Sequence, residues 1–183
     1  RETGSHRALA DLLARMGDMV EEGTGADLWI QRGEILLREG DHGAAAQALE
    51  RALAIGGPHQ YEVAQRLARI QLHKLDDKPA TAASLERALE LEPEDTSTLR
   101  QLSDLYWSME DWQRAADITA RLIERVDAED RPALQLRLGD IRLEQGQVDE
   151  ARSAFDAAIE LDPGYRVAYQ RLEQNLPGDD DLQ

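Results

Sequence analysis

Apolar residues along this chain recur at spacings of three and four from Ala8 onward, the pattern of helices that each bury one face. Ala8, Leu9, Leu12, Leu13, Met16 and Val20 mark a first amphipathic helix within residues 1–22. Glu22 to Gly25 break it, and Thr24 with Asp27 three residues on has the form of a capping box that opens the next helix. Four blocks then follow, each with two helical stretches around a short polar turn: residues 26–59, 61–95, 96–131 and 132–165. The turns hold Gly40-Asp41, Asp76-Asp77-Lys78-Pro79, Glu110-Asp111 and Gly146-Gln147. A last helix is predicted over Tyr165 to Asn175, with an acidic tail at 177–183. Pro58, Pro79, Pro132 and Pro163 fall where helices are expected to start, and Asp130 and Asp162 stand where they can accept unpaired N–H groups. Connections this short make neighbouring helices antiparallel.

Four compact residues hold one place in the four blocks: Gly33, Ala68, Ser103 and Gly139, separated by 35, 35 and 36 residues. A period in this range identifies an array of one repeated unit. Such arrays present a surface to a partner and rarely enclose chemistry.

Composition narrows the picture. Aromatic residues make up only 4% of the chain, so Ala and Leu carry the packing, with Arg, Glu and Gln between them. These are strong helix formers. The net charge of −16 opposes binding to phosphate backbones or anionic lipid, where affinity comes from Lys and Arg. No stretch has the apolar length of a membrane span, and no secretory signal is visible. Without Cys, disulfides and thiolate chemistry are excluded. The compartment stays open between cytoplasm and, for a piece of an exported parent, periplasm. Arg1 to His6 (RETGSH) reads in part as a cloning scar, so a fragment of a longer protein is one reading of the chain.

The blocks resemble tetratricopeptide repeats. Block one supplies Trp29, Gly33, Leu36, Gly40, Asp41, Ala45, Leu49 and Ala52 to that pattern, and block two supplies Leu67, Ala68, Leu85, Ala88 and Pro93. Block three supplies Leu99, Leu102, Ser103, Tyr106, Asp111 and Ala115, and block four Leu138, Gly139, Gly146, Ala151, Phe155, Ala158 and Pro163. Small residues at positions 8, 20 and 27 of such a repeat let its two helices approach closely. Some positions depart from the pattern: Arg32 replaces a Leu, Gly57 the closing Pro, and Thr119 and Leu122 a large residue and an Ala. Block two has one extra turn residue, leaving Ala80 or Thr81 at position 20. Pentatricopeptide repeats share the approximate period and read RNA, but the acidic charge argues against a nucleic-acid partner.

The resemblance implies an all-α, right-handed solenoid of four helix pairs over residues 26–175, with one helix before it and a capping helix at 165–175. It also implies a groove lined by the first helices, touched by ligands at positions 2, 5, 9, 12 and 13. Position 5 holds Ile30, Gln65, Arg100 and Leu136; position 9 holds Glu34, Arg69, Asp104 and Asp140. Position 12 holds Leu37, Leu72, Trp107 and Leu143; position 13 holds Arg38, His73, Ser108 and Glu144. Two readings of these rows stay open. In one, a peptide lies along the apolar position-12 row, with Trp107 as anchor and an acidic group near Arg69 and Arg100. In the other, position 12 packs against the neighbouring repeat and the arginines pair with Asp104 or Glu62. A clamp for C-terminal carboxylates, as in some family members, is not expected, because Ile30 and Glu34 stand where it needs Lys and Asn.

Nothing in the chain assembles a catalytic or cofactor motif. His6, His42, His59 and His73 lack metal-ligand spacing, and His42 is expected in a solvated turn. Gly23 and Gly25 form a lone GxG with no strand before it, and Asp179-Asp180-Asp181 lacks the Gly and bidentate Glu of a calcium loop. The expected function is therefore a protein-binding scaffold or adaptor without catalysis or cofactor, its partner another protein or peptide, with self-association through the groove a further option. The rival is an assembly or regulatory domain cut from a larger protein, such as a periplasmic scaffold of a bacterial secretion or exopolysaccharide export system.

Overall fold

The structure, a computed structural model, describes residues 2–19 and 24–175, with side chains from residue 6 and, after the gap, from residue 25. Val20, the Thr24 side chain and the acidic tail with Asp179-Asp180-Asp181 lie outside these described parts. Among the described residues there are ten helices and no strand: α1 (Glu2–Gly17), α2 (Thr24–Arg38), α3 (His42–Ile55), α4 (Gln60–Lys74), α5 (Lys78–Leu91), α6 (Thr96–Ser108), α7 (Trp112–Ile123), α8 (Arg131–Glu144), α9 (Val148–Leu161) and α10 (Arg166–Asn175). They form two compact units, the first ending at Pro93 and the second starting at Glu94. In the first unit each of α1 to α4 packs on the helix that follows it; in the second, α6 to α9 do the same. The helices α2/α3, α4/α5, α6/α7 and α8/α9 make helix-turn-helix hairpins.

One local device starts three of the four second helices. Asp41, Asp77 and Asp111 cap α3, α5 and α7, their carboxylates accepting from the backbone N–H of Ala44, Ala80 and Arg114. Gln147 holds the same place before α9 without a side-chain cap bond. The residue just before each of the four has a left-handed backbone: Gly40 (φ 80), Asp76 (φ 51), Glu110 (φ 57) and Gly146 (φ 73). This conformation turns the chain within two or three residues and suits glycine, so two hairpins carry a non-glycine in the strained place.

Counting from those caps gives the packing. Four residues on lie Ala45, Thr81, Ala115 and Ala151; eight on, Leu49, Leu85, Thr119 and Phe155; eleven on, Ala52, Ala88, Leu122 and Ala158; all twelve are buried. Thr81, not Ala80, therefore occupies the small position of block two, and its hydroxyl donates to the Asp77 carbonyl at 2.7 Å. The compact residue of each first helix faces this row. A methyl on Gly33 would come within 3.1 Å of Leu49 Cδ2, and one on Gly139 would overlap the Phe155 ring. In block three a hydroxyl pair, Ser103 and Thr119 at 2.8 Å, takes the place of a small residue against a large one.

The extra residue of block two is absorbed at the end of α4. Leu75 N–H donates to Ile70 O and Asp77 N–H to Gln71 O, five and six residues back. The other hairpins close with bonds five residues back, Asp41 to Leu36, Asp111 to Tyr106 and Gln147 to Arg142. The helix end is widened and the second helix keeps its register. Gln71 is buried there and bonded to Ser84 (2.6 Å) and Glu50 (3.2 Å).

Several local expectations change. Pro79 and Pro132 do sit in the first turns of α5 and α8, but Pro58 and Pro163 lie in the connections ahead of α4 and α10. Asp130 makes no cap bond, because its carboxylate pairs with Arg100 at 2.8 Å; Asp162 ends α9 and accepts from Gly164 N–H. The remaining side-chain cap is Asp95 on α6, which accepts from Thr98 N–H at 2.7 Å. His42 is the first residue of α3 and is partly buried, since its helix already begins where the turn was expected to continue. Tyr165 precedes the last helix, which opens at Arg166. In α1 the buried face is Ala10, Leu13 and Gly17, while Leu9, Leu12 and Met16 are exposed. Gly17 is required there, for a Cβ would meet the Trp29 indole at 2.7 Å. Arg32, in a Leu position, lays its guanidinium 4.9 Å from the Trp29 ring centre and covers it.

Candidate functional site

The first helices of the hairpins, α2 and α4 in one unit and α6 and α8 in the other, carry the residues that the sequence singles out. Their side chains emerge at the three- and four-residue spacings that put positions 2, 5, 9, 12 and 13 along one side of a helix.

In the first unit α2 and α4 flank an open pocket of about 300 Å³, lined by Asp27, Ile30, Gln31 and Glu34 from α2, by His59 just ahead of α4, and by Glu62, Val63 and Arg66 from its start. Val63 is buried and Ile30 half-buried, which gives the pocket an apolar floor. Glu34 and Arg66 form one wall through an ion pair of 2.8 Å. Ile30 and Glu34 were expected here from the sequence. Asp27, Val63 and Arg66 were not placed in the groove, and Glu62 was named only as a possible partner of its arginines, although Asp27 and Glu62 stand at position 2 of their repeats, a position already assigned to the groove. Gln65 is half-buried and reaches Tyr61 Oη at 3.5 Å. Arg38, Arg69 and His73 are exposed, and Arg69 has no ion pair among the described residues. Leu37 is half-buried against the core of this unit, and Leu72 of α4 is half-buried.

In the second unit the polar rows are already engaged. Arg100 holds Asp130, and Arg137 holds Asp104 while donating a second bond to the Ser103 carbonyl at 3.0 Å. Asp140 pairs with Arg171 of α10 at 2.9 Å. The pairs Glu34–Arg66, Asp104–Arg137 and Asp140–Arg171 are one arrangement repeated: the carboxylate at position 9 of a repeat meets the arginine at position 6 of the next first helix. These rungs join helices of consecutive repeats, and the sequence row at position 9 did not announce them, because their partners are 31–33 residues away. Burial pushes the Asp140 carboxyl above the usual aspartate range; the Arg171 charge and hydrogen bond pull it back down, and Glu144 adds to the rise.

Trp107 is half-buried. Trp112 presents its edge to it, ring centres 5.3 Å apart, and the Arg137 guanidinium lies 5.2 Å from its centre. Trp112 and Arg137 were not foreseen beside it. Leu136 and Leu143 are half-buried against Phe155 and Ala151, and Ser108 donates to the Leu105 carbonyl at 2.8 Å. Glu144 ends α8 and is exposed. Among the described residues no helix is long and apolar enough to cross a membrane, and no group of His, Asp and Glu is placed to hold a metal ion.

Comparison with known proteins agrees with this geometry. Tetratricopeptide repeat family models match residues 26–70 and residues 100–166. No curated protein matches the sequence. Among solved structures, a tetratricopeptide repeat protein from Parabacteroides merdae superposes with a TM-score of 0.58 at 18% identity, over 82% of this chain and 60% of that one. YrrB, described as a tetratricopeptide repeat protein with an unusual peptide-binding site, gives 0.54 at 19% identity over 81% and 74%. MamA gives 0.53 at 22% identity over 75% and 78%. At these identities the likeness speaks for the fold. With two family matches and four hairpins that bury the same three positions of each second helix, the chain belongs to the tetratricopeptide repeat family.

Proposed function

We propose that this protein is a non-catalytic scaffold or adaptor, and that it binds a partner polypeptide along the first-helix faces of the repeat array at residues 26–175. The observation that carries the reading is the pocket of about 300 Å³ between α2 and α4, with an apolar floor and a polar rim. That is the size and make-up of a site for one or two side chains of a ligand. YrrB, a structural relative, is described as peptide-binding, which supports the same use of the shared fold. The proposed contacts are Ile30, Glu34, Gln65, Arg69, Leu72 and His73 in the first unit, and Arg100, Trp107, Leu136, Asp140 and Leu143 in the second. Arg69, exposed and without an ion pair among the described residues, is the place for an acidic group of the partner.

Selection of ligands from a display library of random peptides tests the reading. Binding of the selected peptides should fall about tenfold or more with Ile30→Glu or Leu72→Glu, as for central contacts in an interface. It should be unchanged with Ala83→Glu, which alters an exposed position of the second helix α5. Circular dichroism would confirm that each variant folds. A library that yields no ligand, or ligands that lose affinity on Ala83→Glu alone, would overturn the reading.

A further inference from the structure

Resting on that reading, we infer that the pocket between α2 and α4 is a subsite for a basic side chain, lysine or arginine, of the bound polypeptide. Three carboxylates, Asp27, Glu34 and Glu62, face it against one guanidinium, that of Arg66. Arg66 is not a free counter-charge, because it is held by Glu34 at 2.8 Å. Asp27 and Glu62 are exposed and form no ion pair among the described residues. They stand in the first turns of α2 and α4, the two helices that line the pocket.

The floor is as informative as the rim. Ile30 and Val63 offer apolar surface below the carboxylates. Lysine and arginine are the side chains built as an apolar stem with a charged head, and they lay the stem on such a surface while the head meets acid. An apolar side chain would leave the carboxylates facing it without a counter-charge, and an acidic one would be repelled. The fixed Glu34–Arg66 wall keeps the pocket in shape before the ligand arrives, so little ordering is needed on binding. The site selects by charge and shape together, and it sits in a protein whose net charge of −16 draws basic segments from a distance.

The experiment uses the full chain and the displayed peptides already described. The selected ligands should share a lysine or arginine at one fixed place, and replacing it with acetyl-lysine or citrulline should weaken binding. Asp27→Asn and Glu62→Gln should each weaken the unmodified peptide by about fivefold, the upper range for an ion pair at a part-exposed site. They should leave the acetylated or citrulline peptide unaffected. Glu92→Gln, an exposed acid at the end of α5, should do neither. Ligands that need no basic residue, or equal losses with Glu92→Gln and Glu62→Gln, would overturn this inference while leaving peptide binding in place. Failure to select any peptide would remove the underlying reading, and the subsite with it.

Discussion

Ser103 and Thr119 share a hydrogen bond of 2.8 Å at the α6–α7 crossing, with both side chains fully buried. Elsewhere this crossing matches a small residue with a large apolar one, Gly33 with Leu49 and Gly139 with Phe155. Block three departs from the pattern at Thr119 and makes up for it with a hydroxyl opposite. Thr119→Val should cost about 1–3 kcal/mol, because the Ser103 hydroxyl is left unpaired in the core. Ser103→Ala combined with Thr119→Val should recover most of that loss. Urea unfolding of the two single variants and the double variant measures the coupling, and additive losses would show that the bond does not matter.

The two glycine crossings should differ in tolerance. A methyl at Gly139 overlaps the ring of Phe155, which is fully buried and cannot swing away. At Gly33 the added methyl meets the end of Leu49 at 3.1 Å, where a few tenths of an ångström suffice. Gly139→Ala should cost about 2–3 kcal/mol and Gly33→Ala less than about 1 kcal/mol. Thermal unfolding of both variants checks the order.

Glu110 carries a left-handed backbone (φ 57) where two of the other hairpins have glycine. Glu110→Gly relieves that strain and loses a little chain entropy, for a net gain of about 0.5–1 kcal/mol. Gly146→Ala, the reverse change in block four (φ 73), should cost about 1 kcal/mol. Chemical denaturation of both would show opposite signs.

Asp140 gives the molecule a pH dependence of unusual sign. Its folded-state carboxyl titrates above the unfolded one, mainly through burial. The folded chain therefore binds this proton more readily, and the group's contribution to stability falls as pH rises from the unfolded to the folded value. Asp140→Asn should make the slope of stability against pH more positive across that interval. Carboxyl chemical shifts followed by NMR should place the wild-type midpoint above the usual aspartate range.

Arg137 ties Asp104, the Ser103 carbonyl and the face of Trp107 together. Arg137→Ala should cost about 1 kcal/mol through lost packing and pairing and should uncover the indole. Tryptophan emission should shift to the red. No shift would mean that Trp112 alone shields the ring.

The architecture was legible in the sequence because it depends on volumes at fixed spacings. Gly33, Ala68, Ser103 and Gly139 mark every crossing, and the small-large-small rows follow from them. The site was legible only in outline. Ile30 and Glu34 could be placed on one face of α2, but the rungs Glu34–Arg66 and Asp104–Arg137 depend on the register between helices more than 30 residues apart. Caps went astray at Asp130 because Arg100, thirty residues back, outcompeted the local N–H groups for its carboxylate. The Trp107 environment needed Trp112 from beyond a turn and Arg137 from another hairpin, neither of which a periodic pattern marks.

The rungs at positions 9 and 6 carry a consequence for how such a chain can be rearranged. Hairpins one, three and four each carry at position 9 a carboxylate that meets an arginine of the next first helix, whereas hairpin two carries Arg69 there. Hairpins of nearly equal shape are thereby made unequal in sequence order. Moving the second hairpin to the place of the third would bring Arg69 opposite Arg137 and turn an attraction into a repulsion. Shape alone would allow the hairpins to be shuffled, but charge sets the hairpin that carries Arg69 apart from the other three.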